Sequence, residues 1–321
     1  MRVNEKGDGH MKKILSIDGG GIKGVYAASL LYELESKNHI KVSDYFDIIA
    51  GTSTGGIIAA ALAVGISAKE ILKLYMENGE KIFPFGKHPR LFRSKYKREP
   101  LEQALKAVFK KRKIADCRTR LLIPAVNIAN GKVTVFKTPH APDLKYDKDL
   151  FITDCLLATT AAPIYFEPYK MQGGNYIDGG IGANNPSLIA LIEGITRCGW
   201  SLDDIKVLNI GGAEDPKLKR GKEQLGIVDA LMIQKCYMMA EGDYAENICR
   251  LLLPEGHFYR VKQMSEHAGQ VALDKADKKS LELLKAWGYD AAKVNNEYLK
   301  LNFFDREKES CQFYNIGENQ P

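Results

Sequence analysis

Ser53 lies between Gly51 and Gly55 in Gly-Thr-Ser-Thr-Gly, a G-x-S-x-G frame. In that frame a serine is carried on a strained strand-to-helix turn, where its Oγ stands exposed at a helix N-terminus and can attack an acyl carbonyl. Such a serine needs a base to take its proton and donors to hold the oxyanion that forms. Two other turns carry suitable groups. "DGGGIKG" (18–24) runs from a strand into a helix, so Gly19, Gly20 and Gly21 offer backbone N–H groups to an anion. Read one way this is a phosphate loop, although it is not G-x-G-x-x-G and lacks the Walker G-K-[ST] ending. Read another way it is half of an oxyanion hole, the other half being the N–H after the nucleophile, that of Thr54. "YIDGGIGANNP" (176–186) places Asp178 at the end of a short strand, in a sequence that also reads as an ordinary turn.

The base is the open question. Six histidines are present, His10, His39, His88, His140, His257 and His267. The usual hydrolase order, serine then acid then a late histidine, leaves only His257 and His267 well placed. His257, in "GHFYRV", reads as a residue at the sheet margin, whereas His267, in "MSEHAGQ", suits a late loop. A carboxylate within hydrogen-bond reach can also take the proton directly if a low-dielectric site raises its basicity, which keeps Asp178 in contention.

These turns must be held by a sheet. Apolar runs at 12–18, 45–51, 120–128, 133–138, 176–180, 205–212 and 257–261 read as strands. Helical spacing is found over 24–37, 54–65, 67–83, 100–111, 149–163 and 184–199. Strands alternating with helices predict an α/β fold: a mainly parallel central sheet with helices on both faces, in three layers. In such sheets the site gathers at the carboxyl ends of strands, where all three turns fall. The expected organisation is one domain over 12–310, with 1–11 and 311–321 as tails.

The 321 residues are 45% hydrophobic, enough for a large core. The net charge of +6 is not spread evenly: Lys87 to Lys113 holds eleven Lys/Arg against Glu99 and Glu102, a local +9 that leaves about −3 for the rest. The positive balance therefore belongs to one segment, and a nucleic-acid duplex is not an expected partner. Within it, "FGKHPRLFRSKYKREP" (85–100) interleaves Phe85, Leu91, Phe92 and Tyr96 with cations, which suits either an anionic bilayer surface or a solvated face over packed apolar residues. Six cysteines without a C-x-x-C pair read as reduced thiols of a cytoplasmic protein. No secretory signal or membrane-spanning run is visible. No H-E-x-x-H and no calcium loop is present, so neither a metal nor another cofactor is expected.

Four motifs in order, "DGGGIKG" (18–24), "GTSTGG" (51–56), "ATTAAPIYFEP" (158–168) and "DGGIGANNP" (178–186), resemble those of the patatin-like phospholipase family, and weaker likeness extends over 12 to about 300. The resemblance implies a calcium-independent lipid acyl hydrolase with a Ser-Asp dyad and no catalytic histidine. Carried over by position, Ser53 is the nucleophile, Asp178 its base, and Gly19, Gly20, Gly21 and Thr54 the oxyanion donors. Lys23 stands where the family carries Arg or Lys. "NIGGA" (209–213) departs from the S-L-G-T-G that the family tends to carry. Ile164, Tyr165 and Phe166 are candidates to line an acyl channel. The partners implied are a phospholipid and a membrane surface met from the cytoplasmic side. Some compact bacterial members act in antiphage defence and are switched on by cyclic oligonucleotides, which adds a cyclic-oligonucleotide activator as an alternative.

Overall fold

A computed structural model describes residues 10–84, 86, 94–214, 230–264 and 271–314. In chain order the elements are β1 (Lys12–Ile17), α1 (Gly24–Asn38), β2 (Ile48–Gly51), α2 (Thr54–Ala63), α3 (Ala68–Ile82), α4 (Glu99–Phe109), β3 (Arg120–Asn127) and β4 (Lys132–Lys137). They continue with α5 (Ile152–Thr159), β5 (Tyr169–Met171), β6 (Gly174–Asp178), α6 (Gly180–Ala183), α7 (Ser187–Thr196), β7 (Ile205–Glu214), α8 (Ala230–Leu252), β8 (Phe258–Met264) and α9 (Lys278–Asn302).

The strands form one sheet in the order β5-β6-β3-β2-β1-β7-β8, with β4 also paired to β3. β3, β2, β1, β7 and β8 run parallel, while β4, β5 and β6 add antiparallel pairs at one side. Alternation along the strands explains the layers. Leu15, Ile17 and Ile49 face a core built with α1, α2, α3, α4, α5 and α9, and Ile14, Ile48 and Ala50 face a smaller one built with α7 and α8. Both faces are therefore apolar, as the continuous hydrophobic strands predict.

The register of β3 does the positioning. Leu122 pairs with Ala50 on one edge and Lys137 of β4 on the other, and Ala125 likewise pairs with Asp178 and Thr134. β2 and β6 thus share one edge of β3 in succession, β2 parallel to it and β6 antiparallel, so their carboxyl ends meet head-on beside Ile123 and Pro124. Pro124 tolerates that break because it has no N–H to leave unpaired.

Some expected boundaries move. The strand predicted over 45–51 starts at Ile48, because Asp47 turns to bond β1: its N–H donates to Lys13 O and its Oδ2 accepts from Lys13 N–H. The helix predicted over 149–163 spans Ile152–Thr159, and that over 184–199 spans Ser187–Thr196. Beyond Thr159 the chain doubles back, and the carbonyls of Thr159 and Ala161 accept from Gly179 and Asp178. Among the described residues no helix is long and apolar enough to cross a membrane.

Candidate active site

The elbow begins where β2 ends. Ser53 lies at φ 54° and ψ −121°, a conformation that a residue with a Cβ adopts only under constraint. Close packing makes Gly51 and Gly55 obligatory: a Cβ on Gly51 would fall 2.1 Å from the Gly55 carbonyl oxygen, and one on Gly55 2.3 Å from that of Ile17. Hydrogen bonds pin the turn on both sides. Thr52 Oγ1 donates to Ala183 O at 2.6 Å. Ser53 N–H donates to Thr159 Oγ1 at 2.9 Å, and that hydroxyl donates to Pro124 O at 2.6 Å. Thr159 therefore fills the gap between the ends of β2 and β6.

β6 delivers Asp178 to the same point. Ser53 Oγ donates to Asp178 Oδ2 at 2.7 Å, and Asp178 Oδ1 accepts from Gly180 N–H at 2.7 Å. The two side-chain-bearing residues are 6% and 4% exposed. Burial pushes the Asp178 carboxyl up to about 6, and the hydrogen bonds from Ser53 and Gly180 offset that only in part. The result is a carboxylate that is ionised at neutral pH, more basic than a solvated one, and in contact with the serine proton.

No described histidine borders this point. His257 Nδ1 contacts Ile205 O at 2.9 Å, at the sheet margin. His140 is buried between Thr138 and Glu193. His88 and His267 lie outside the described residues.

The glycine loop crosses above the elbow. Gly19 N–H is engaged, donating to Asn184 O at 3.1 Å. Gly20 and Gly21 border the cleft beside Ser53, and their N–H groups make no hydrogen bond with any described residue. Gly21 has φ 57°, and a Cβ there would fall 2.2 Å from Leu273 O, the atom that accepts from Ile22 N–H at 2.7 Å. Thr54 opens α2, where an N–H has no intrahelical acceptor. Of the four predicted anion donors, three thus border the cleft and the Gly19 N–H ties the loop to Asn184.

The cleft is walled by Ile57, Leu74, Ile82, Phe83, Leu105, Tyr165 and Phe166. Such a wall suits hydrocarbon, with Ser53 and Asp178 as its polar end. Ile164 is not on it: its backbone turns at φ 74° and its carbonyl accepts from Lys95 N–H. Of the basic segment, Tyr96 packs edge-on to Phe83 at 5.4 Å, while Lys95 pairs with Asp274 at 2.5 Å. Phe85, Leu91 and Phe92 lie outside the described residues.

A buried charge cluster stands under the loop. Asp18 Oδ2 pairs with Arg260 Nη2 at 2.8 Å and its Oδ1 accepts from Asn209 Nδ2 at 2.8 Å. Arg260 Nη1 donates to Asn209 Oδ1 at 2.6 Å, and Glu246 Oε2 is 3.2 Å from Arg260 Nε. The residue that opens "NIGGA" thus braces Asp18 directly. Thr159, Asn209 and Arg260 are not among the predicted site residues; Thr159 lies in the motif "ATTAAPIYFEP", and the signal for the other two is a polar residue inside the apolar runs "IKVLNIGG" and "HFYRV". Lys23 does not reach the cleft and borders a second cavity behind the loop. Among the described residues no group of three or more His, Cys, Asp or Glu is placed to hold a metal.

Comparison with known proteins gives three kinds of likeness. The Patatin-like phospholipase family model matches residues 15–191. The chain is 36% identical to a cGAMP-activated phospholipase of Vibrio cholerae serotype O1, over 88% of this chain and 92% of that one, and 34% identical to one of Escherichia coli, over 91% and 92%. Patatin-like protein 4 of Arabidopsis thaliana is 34% identical over 57% of this chain and 52% of its own. Among solved structures, VipD from Legionella pneumophila aligns with a TM-score of 0.48 at 13% identity, covering 90% of this chain and 67% of that one.

Proposed function

The chain belongs to the patatin-like phospholipase family, and we propose that it hydrolyses fatty-acyl esters of membrane phospholipids with Ser53 as nucleophile and Asp178 as its only base. The observation that carries this reading is the 2.7 Å hydrogen bond from Ser53 Oγ to a buried carboxylate at the polar end of an apolar cleft. Asp178 accepts the serine proton as Oγ attacks the ester carbonyl. Gly20, Gly21 and Thr54 N–H groups hold the oxyanion, each worth about 3 kcal/mol by analogy with other such donors. As the tetrahedral intermediate collapses, Asp178 passes the proton to the leaving alkoxide, giving lysophospholipid and acyl-Ser53. Water then gives a proton to Asp178, the hydroxide attacks the acyl carbon, and Ser53 leaves and recovers its proton. Calcium has no part in this sequence.

Mass spectrometry of products from mixed phospholipids with EDTA present tests it. Free fatty acid is expected from wild type, and Ser53→Ala and Asp178→Ala are each expected to lose at least about 10³-fold in rate. Wild-type release from either variant, or release only with added calcium, overturns the assignment.

A second reading is favoured by the likeness, over 88% and 91% of this chain, to two phospholipases named as cGAMP-activated. In it the same dyad works as an effector whose turnover rises on binding a cyclic dinucleotide. The basic segment from Lys87 to Lys113 would bring either form to an anionic bilayer surface.

A further inference from the structure

Residues 271–277 precede α9 and lie against the glycine loop on one side and the acyl wall on the other. Val271 and Ala276, both 2% exposed, seat the two ends in the core. Between them Lys275 N–H donates to Ala272 O at 3.1 Å, which closes a tight turn with Leu273 and Asp274 at its centre. The two central residues reach opposite neighbours. Leu273 borders the cleft, and its carbonyl accepts from Ile22 N–H at 2.7 Å. Asp274 does not border the cleft; its Oδ2 accepts from Lys95 Nζ at 2.5 Å and from Tyr96 Oη at 2.8 Å.

At the loop, the bond to Leu273 adds to two others: Gly19 N–H donates to Asn184 O and Lys23 N–H to Gly20 O, both at 3.1 Å. A trans peptide points its N–H away from its C=O, so a Gly20 carbonyl held by Lys23 aims the Gly21 N–H to the other side. Such bonds set the direction of the donors, and direction decides what an oxyanion hole is worth. At the wall, Lys95 N–H donates to Ile164 O at 2.8 Å and Tyr96 N–H to Tyr165 O at 2.9 Å. The Tyr96 ring packs on Phe83, Tyr165 and Phe166, with centroids 5.4, 6.4 and 6.1 Å away, and all three border the cleft. Asp274 and Lys95 are 11% and 14% exposed, so loss of the carboxylate charge strands a largely buried ammonium.

We propose that Asp274 is a positioning residue for ester hydrolysis: through Leu273 it holds the glycine loop so that the Gly20 and Gly21 N–H groups face the developing oxyanion, and it ties them to the wall along which the acyl chain lies. The inference rests on the reading of Ser53 and Asp178 as a dyad. Hydrolysis of a soluble short-chain p-nitrophenyl ester tests it, beside inhibition by the trifluoromethyl ketone of the same acyl chain. Ser53 Oγ adds to that ketone as its proton passes to Asp178; the carbonyl π pair moves onto oxygen, nothing leaves, and the hemiketal oxyanion needs the same donors as the transition state. Asp274→Asn is expected to lose about tenfold or more in kcat and to raise the ketone's inhibition constant by a similar factor, with KM for the ester unchanged. Tyr96→Phe, which removes one hydroxyl and keeps the ring, is expected to show the same paired losses at about threefold. Thermal unfolding of each variant checks folding.

A rise in KM at unchanged kcat in Asp274→Asn would mean that the turn shapes the acyl wall alone, and overturns the assignment. Folded Asp274→Asn with wild-type kcat and wild-type inhibition overturns it as well. Should Asp274→Asn fail to fold, Tyr96→Phe decides: paired losses support the assignment and unchanged constants overturn it. A wild type that neither turns over the ester nor takes up the ketone is a separate failure, since it removes the dyad on which the inference rests.

Discussion

The Asp178 carboxyl ionises near 3.8 when solvated and near 6 in the fold, so between those values the native state holds a proton that the unfolded chain has released. Stability from this group is full below about 3.8, falls as pH rises through that window, and levels off above about 6. At neutral pH the buried charge disfavours folding by about 3 kcal/mol. The same shift serves chemistry with the opposite sign, because only the ionised carboxylate accepts the Ser53 proton. Two measurements follow from one residue. A pH profile of kcat/KM for a soluble ester is expected to rise with pH around a midpoint near 6. Asp178→Asn keeps an oxygen for Gly180 N–H and an N–H for Ser53 Oγ but never ionises. It is expected to abolish turnover while raising denaturant stability at pH 7, by an amount that vanishes near pH 3. A variant that is inactive and less stable at pH 7 would show that Asp178 is held for packing.

At the scale of elements, Thr159 is where three of them are joined. Its hydroxyl accepts from Ser53 N–H and donates to Pro124 O, and its carbonyl accepts from Gly179 N–H. Thr159→Val keeps the shape and strands one buried donor and one buried acceptor, at about 1 to 3 kcal/mol each. Stability is expected to fall by roughly 2 to 6 kcal/mol, and kcat per titratable serine at least tenfold as the elbow relaxes, with Thr159→Ser restoring both. Unchanged kcat in the stable fraction of Thr159→Val would mean that the elbow keeps its geometry without this bond. Thr159 also marks the limit of what could be read from the chain. Ser53 and the glycine loop sit in local patterns that strand and helix periods place at strand ends, whereas Asp178 lies in an ordinary-looking turn and is singled out only by the family resemblance. The meeting of β2 and β6 was not legible, because it depends on which residues of β3 each pairs with, and register is set by the whole sheet. β5 escaped notice for a related reason: it has three residues, Tyr169–Met171, too few for a period and paired only to β6. The Asp18–Arg260 pair joins residues far apart in the sequence, and no local pattern announces it.

For the whole molecule, the uneven charge and the position of the cleft bear on each other. The stretch with local +9 includes α4, whose Leu101, Ala104 and Leu105 line the cleft, so the described cations of α4 and its flanks belong to the element that supplies part of the cleft wall. On the proposed membrane reading, attraction to an anionic surface would contribute about 1 kcal/mol per cation near the membrane, less as salt rises. Lys97 and Lys111 are exposed and lie away from the site residues, so they report on this attraction alone. Sedimentation with phosphatidylglycerol-containing vesicles at low salt is expected to show Lys97→Gln/Lys111→Gln binding roughly 30-fold more weakly than wild type, from about 2 kcal/mol. The gap is expected to narrow as salt approaches 0.5 M, about where the Debye length falls below ~5 Å. Turnover of a soluble ester by the variant should match wild type, since no bilayer is involved. Equal binding by the two proteins at low salt would mean that the cations are a solvated face, and that the cleft meets its lipid through apolar contacts instead.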